Sequence, residues 1–288
     1  MGSYSSQPDY PTRPPEILPP EREGEFSQQE ELRAIRQREP GGHSGRRSWA
    51  FAPATYLLVG INCVVFLAMV LLGVDFTHPT RDQLLFFGAN NPDLVLNGGE
   101  WWRIVTAMFV HVGIWHLATN MWCLWNLGLL GEPLIGPLGV FVAYILSGAA
   151  GNLLSIAVNE GFYHSPESVG AGASGAVFGL AGVLILLLKS PLLPIPPKEL
   201  AGLRRYVIYF AAINFVIGFG SLAVNTSVRI DNMAHLGGFL GGIVFAIPLV
   251  PMLGSPRDVF RFRRRVAVGL LTTVLVFFGF FLSAAFSR

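Results

Sequence analysis

Apolar runs long enough to cross a bilayer, about 20 residues of helix each, recur seven times in this chain. They lie near Thr55–Leu72, Gly113–Leu130, Leu138–Val158, Gly172–Leu188, Tyr206–Leu222, Asn232–Met252 and Val266–Phe286. A backbone in lipid must satisfy its own hydrogen bonds, so runs of this length fold as helices. The expected class is an all-α polytopic membrane protein with seven transmembrane helices. Composition agrees. Of 288 residues 52% are hydrophobic and only 13% charged, against about a quarter charged in a soluble domain.

The basic residues predict an orientation. Seven arginines precede the first run, Lys189, Lys198, Arg204 and Arg205 separate the fourth and fifth, and five arginines from Arg257 to Arg265 separate the sixth and seventh. Only Arg81, Arg103, Arg229 and Arg288 fall on the other side, 4 of the 20 Lys and Arg. Positive charge favours the cytoplasmic face, which predicts a cytoplasmic N-terminus and an outer C-terminus. The link "LGEPLIGP" between the second and third runs would then be inside. "RDVFRFRRR" reads as a positive-inside signal with anionic lipid contact as an extra.

Three regions are expected: a disordered Pro-rich cytoplasmic tail at 1–50, a six-helix core at 51–253, and a basic link with a seventh helix at 254–288. "PDYPTRPPEILPPEREGE" in the tail is too rich in Pro and charge to build a core. "SQQEELRAIRQRE" carries a capping box, Ser27 with Glu30, and reads as a short surface helix. "MGSYSS" fits the N-myristoylation pattern, which is short enough to match by chance. "KSPLLPIPPKELAG" reads as an exposed link. Cys63 and Cys123 lie in apolar runs and read as small packing residues. Asn62, Asn126, Asn152 and Asn214 read as interhelical hydrogen-bonding groups.

Polar groups that do not belong in lipid mark function. Here they are His116 and Asn120 in the second run, Ser174 at the start of the fourth, and Asn232 and His235 in the sixth. Runs two, four and six share one direction, so their N-terminal ends share one face. At 1.5 Å per residue, His116, Asn120, Ser174 and His235 fall within roughly 10 Å of the outer surface. A serine hydroxyl needs a base to take its proton, and His235 is the candidate. A tetrahedral intermediate needs donors for its oxyanion. His116 and Asn120, at i and i+4, can supply them, as can the unpaired Ser174 N–H at a helix start. Gly175 with Gly179, and Gly238 with Gly242, form two GxxxG pairs whose close approach would bring Ser174 to His235. Phe178 shares the face of Ser174 and is placed to stack on the imidazole. The bland alternative makes Ser174 one more small packing residue and His235 a histidine bonding a carbonyl.

"GASG" around Ser174, "HLATN", "WWR" and "AHLGGFLGG", in this order and spacing over about Thr55 to Leu253, resemble the rhomboid intramembrane serine proteases. The resemblance implies a rhomboid-like helical bundle of the bacterial type, with six core helices and a seventh at the C-terminus. It implies an intramembrane serine endopeptidase of the bacterial plasma membrane, cleaving single-span or other transmembrane substrates. Ser174 is then nucleophile and His235 base, a dyad without a third acid, with His116, Asn120 and the Ser174 amide as oxyanion hole. Trp102 and Arg103 match the family's loop motif, Arg103 bracing the first loop through Glu100. His111 matches a further family histidine, and Trp101 reads as an interfacial anchor. Position 178 is Phe where some members have Tyr.

No cofactor, metal or nucleic-acid partner is expected. A zinc protease needs His-Glu-x-x-His, and Leu117 follows His116. An aspartyl type needs two acids within spans, whereas Asp75, Asp93 and Asp231 fall in loops or at helix ends. A transporter predicts unwound spans and paired charges at the midplane. A catalytically silent rhomboid-like chaperone would lack the serine or the histidine, and both are here.

Overall fold

The computed structural model describes residues 51–165, 167–190, 193, 196–220, 231–250 and 255–287. The tail expectations, from the myristoylation pattern to the short helix, lie outside the described residues. Ten helices form among the described residues, in the order α1 Pro53–Leu71, α2 Arg81–Phe86, α3 Pro92–Leu96, α4 Arg103–Thr106, α5 Ile114–Ile135, α6 Pro137–Gly161, α7 Ser174–Leu187, α8 Pro197–Gly220, α9 Asn232–Ala246 and α10 Arg257–Phe286. Strands are absent among these residues, and one antiparallel bridge joins Asn90 to Gly170.

A helix stands at each of the seven apolar runs, but they are not equal. α1, α6 and α10 are long and apolar enough to cross a membrane. α5 and α8 are long but more polar. α7 and α9 have only 14 and 15 residues, a rise of roughly 21–23 Å against a hydrocarbon thickness of about 30 Å. The apolar composition outlasts the helix at both: Leu188 and Ile247–Leu249 continue as turns.

α7 is the axis of the bundle. Every residue from Gly175 to Leu184 is buried, against α5, α6 and α9. The core continues through Leu124, Leu127, Tyr144 and Phe245, each almost inaccessible. α10 lies at the periphery, burying only Ala267, Leu271, Gly279 and Leu282.

The link between the second and third runs is shorter than expected. α5 runs on through Pro133 to Ile135, and Gly136, at φ +76°, makes the whole turn into Pro137. Glu132 is therefore helical and 97% buried. Its carboxylate accepts from the N–H groups of Ala54 at 2.9 Å and Thr55 at 2.8 Å and from the Thr55 hydroxyl at 2.7 Å. These are the orphan donors of the first turn of α1, so one carboxylate caps a helix 78 residues away and latches α1 to α5.

Several side chains correct the sequence reading. Asn62 does bridge helices, donating to the Leu58 carbonyl at 2.8 Å and to Tyr144 Oη at 3.2 Å. Asn126 and Asn214 instead donate to Trp122 and Phe210, four residues back on their own helices. Cys63 is exposed and Cys123 half-buried, so only Cys123 packs on the core. The expected exposed link after α7 is in part buried: Ser190 is inaccessible and Leu193 packs on the core. Trp101 packs on α10, facing Gly279.

Candidate active site

Ser174 is the first residue of α7. Gly172, at φ +129°, turns the chain into it, and a side-chain carbon at Gly172 would collide with the His116 imidazole. Only glycine meets both demands. Ahead of it, Gly170 pairs with Asn90 through N–H···O bonds of 2.7 and 2.9 Å, and the Ala173 N–H reaches His111 Nε2 at 3.4 Å. The entry to α7 is thus held by two loop contacts, and the Ser174 N–H has no carbonyl a turn earlier to bond.

His235 comes from α9. Gly238 faces Gly175 and Gly242 faces Gly179, so closely that a Cβ on either α9 glycine would be driven into the opposite carbonyl oxygen. Gly175 in turn faces the Ala234 carbonyl, where a Cβ would lie 3.2 Å from the oxygen. The backbones touch one residue from both Ser174 and His235. Phe178, one turn beyond Ser174, lies flat on the imidazole with ring centroids 4.2 Å apart and planes at 13°. Phe215 of α8 meets Phe178 edge-on at 6.0 Å. His235 is 95% buried, and its Nδ1 has no hydrogen-bond partner. The Ser174 hydroxyl makes no hydrogen bond to His235. Bonds of this kind commonly shorten only when substrate is bound.

His116 and Asn120 stand one turn apart on α5. The His116 ring lies 5.4 Å from the His111 ring and against Gly172, with its Nδ1 buried and unbonded. Asn120 is buried, and its Nδ2 donates to the His116 carbonyl at 2.8 Å. That leaves the second amide hydrogen free of this bond, and it is the one donor Asn120 has left. Asn232, the remaining polar residue of the sequence set, is 94% buried with neither carboxamide atom bonded.

The loop motif stands further off. Arg103 is 94% buried. Its guanidinium donates to Glu100 Oε2 at 2.7 Å and to the carbonyls of Leu85 at 2.6 Å and Ala89 at 3.0 Å, and lies 4.5 Å over the Trp102 ring. It ties α2 and the segment at Ala89–Asn90 to α4, which is a bracing arrangement. Trp102 is half exposed.

Asp231 escaped the sequence reading except as a residue at a helix end. It caps α9, its Oδ1 accepting from the Met233 and Ala234 N–H groups at 3.1 and 2.9 Å. An Asp directly before a helix is the signal that announces such a cap.

The rhomboid domain matches residues 98–252, more than half of the chain. Rhomboid protease GluP of Bacillus subtilis (strain 168) is 33% identical over 202 residues, covering 70% of this chain and 36% of that protein. RHOMBOID-like protein 6, mitochondrial, of Arabidopsis thaliana is 32% identical over 186 residues, 65% of this chain and 56% of that one. Rhomboid-like protease 2 of Toxoplasma gondii is 30% identical over 190 residues, 65% of this chain and 62% of that one. The chain thus spans less than two thirds of the length of each of these relatives. With its all-helical bundle and its matched domain, the chain is an integral membrane protein that belongs to the rhomboid family.

Proposed function

We propose that this protein is an intramembrane serine endopeptidase that cleaves transmembrane segments of other membrane proteins. The supporting observation is the convergence, at the start of α7, of a serine, an imidazole stacked on Phe178, and the His116 ring of α5. In this reading the Ser174 hydroxyl gives its proton to His235 as its oxygen attacks the scissile carbonyl. The oxyanion is met by the Ser174 N–H, His116 and Asn120. Collapse of the intermediate breaks the C–N bond, and His235 returns the proton to the leaving amine. Water then releases the acyl group by the same route.

Arg103, Glu100 and Trp102 support the loop without touching the reacting atoms. Gly175, Gly179, Gly238 and Gly242 supply the approach of α7 to α9. No cofactor is needed by this chemistry. The Lys and Arg distribution supports a cytoplasmic N-terminus with the site towards the outer face, and the resemblance to bacterial-type rhomboids supports a bacterial plasma membrane. It also supports the division into tail, six-helix core, and basic link with seventh helix.

The test is incubation of the purified protein with a panel of single-span membrane proteins. Wild type should cleave at least one, and Ser174→Ala and His235→Ala none, with no further loss in the double variant because the two act as a unit. Cleavage by Ser174→Ala would overturn the assignment. A folded wild type that binds these segments without cutting them would turn the reading towards a silent binding protein.

A further inference from the structure

α6 carries a line of polar side chains that the reaction above leaves without a task. Asn152, Ser155 and Asn159 stand at i, i+3 and i+7, on one helix face. Each holds something. The Asn152 carbonyl accepts from Asn90 Nδ2 at 3.2 Å, and its own amide donates to the Ile104 carbonyl at 2.9 Å. Asn90 is the residue paired with Gly170, four positions before the proposed nucleophile. One turn further along α6, the buried Ser155 hydroxyl donates to Asp231 Oδ2, four positions before the proposed base. Asn159 Nδ2 donates in turn to Ser155 Oγ at 3.1 Å and to its carbonyl at 2.9 Å.

Asp231 is thereby shared. Oδ1 is spent on the first turn of α9, and Oδ2 on α6. A side-chain carbon at Gly170 would lie 3.7 Å from Oδ2, so the carboxylate also underlies the segment that leads to Ser174. An N-cap needs only one oxygen. The second oxygen fixes where the capped helix begins relative to its neighbour. The glycine seam sets the spacing of α7 from α9 but permits a slide along the axis, because glycine offers no side chain to key into. The α6 contacts resist that slide.

We infer that Ser155 and Asp231 are positioning residues. Together with Asn152 they make the end of α6 a ruler that holds the start of α9, and with it His235, at a fixed height beside the segment that delivers Ser174. The inference rests on the proposed dyad, and its test separates the two. The full chain and its Ser155→Ala, Asp231→Ala and Asp231→Asn variants are compared in detergent by the rate of Ser174 labelling with a fluorophosphonate, by kcat and KM for a cleaved segment, and by thermal midpoint.

Ser155→Ala and Asp231→Ala should slow labelling about tenfold to a hundredfold, the cost of a misplacement of the order of 1 Å, with kcat reduced and KM unchanged. Asp231→Asn should restore labelling to within about threefold of wild type, because Asn caps as well as Asp and its amide can donate to the Ser155 hydroxyl. Wild-type labelling in both alanine variants, or a loss that Asn does not rescue, would overturn the inference. If the wild type itself is never labelled, the proposed function falls instead. Amide exchange at Asn232–Leu236 then decides for the ruler: faster exchange in Ser155→Ala upholds it, and unchanged exchange overturns it.

Discussion

Two helix seams in this bundle are built on opposite terms. Between α7 and α9 the backbones meet directly, Gly238 on Gly175 and Gly242 on Gly179, and no side chain intervenes to absorb a change. Between α10 and the rest, the partners are large side chains around an apolar cavity of about 490 Å³, bordered by Trp101, Ile104, Leu146, Leu275, Gly279 and Phe280. Phe277 and Phe280 of α10 are about three-quarters exposed. In lipid the hydrophobic effect does not press helices together, so packing quality decides how firmly a seam holds. A seam that opens into a wide apolar groove makes fewer contacts along its lining than one in which backbones meet. The contrast teaches where this molecule keeps its tolerance. Positions are fixed beside Ser174 and His235, and left adjustable at α10.

The sharpest way to break the comparison is one substitution, glycine to alanine, made in each seam. Gly238→Ala should have the largest effect. Its new methyl has no room beside the Gly175 carbonyl, and because the obstacle is backbone it cannot rotate away. Overpacking costs about 1–3 kcal/mol, and more at times, and backbone that cannot give way puts this case at the upper end. The expected outcome is a lower thermal midpoint and loss of fluorophosphonate labelling at Ser174. Gly242→Ala should behave alike. Wild-type labelling in Gly238→Ala would mean that α7 and α9 are free to part.

Much of this was legible in the sequence, for identifiable reasons. Apolar length and glycine spacing are local signals, and they pointed to the helices and to the α7–α9 seam. Phe178, one turn from Ser174, could be placed under an imidazole by helical periodicity alone. What escaped was non-local or governed by competition. Glu132 sits in "GEPLIGP", where Pro and Gly read as a turn. Its reason for being helical is a set of donors on α1 that only the fold brings near. Asn62 finds Tyr144, while Asn126 and Asn214 fold back on their own helices. The same residue type in the same kind of run gives no hint which will happen. The ends of α7 and α9 escaped too, because apolar residues continue past the last helical turn.

Glu132 also gives the intermediate case. The α1–α5 latch is held by a polar cap rather than by glycine contact or loose apolar packing. Glu132→Gln keeps the shape but turns one acceptor into a donor facing an N–H, which costs about 1–3 kcal/mol for the group left unpaired. The midpoint should fall. Labelling of Ser174 should stay within about twofold of wild type, because the latch and the glycine seam share no partner and distant sites act independently. If labelling collapsed with an unchanged midpoint, the latch would belong to the site, and the division between fixed and adjustable regions would need redrawing.

Gly279→Ala should have the smallest effect, and its sign is informative. A Cβ there would lie 3.3 Å from Cζ3 of Trp101, close enough that the ring must give by a few tenths of an ångström. Trp101 borders the cavity, so the ring has somewhere to go. Helix propensity favours alanine over glycine by up to about 1 kcal/mol, and the methyl fills part of the void. The variant should therefore match the wild type within about 1 kcal/mol in thermal unfolding, with no change in labelling. Gly269→Ala, where a Cβ meets nothing within 4 Å, reads the propensity term alone, so the difference between the two variants isolates the contact with Trp101. If Gly279→Ala were as costly as Gly238→Ala, α10 would be keyed to the core as closely as α7 is to α9. That helix would then be part of the machinery that holds the site, not an adjustable neighbour of it.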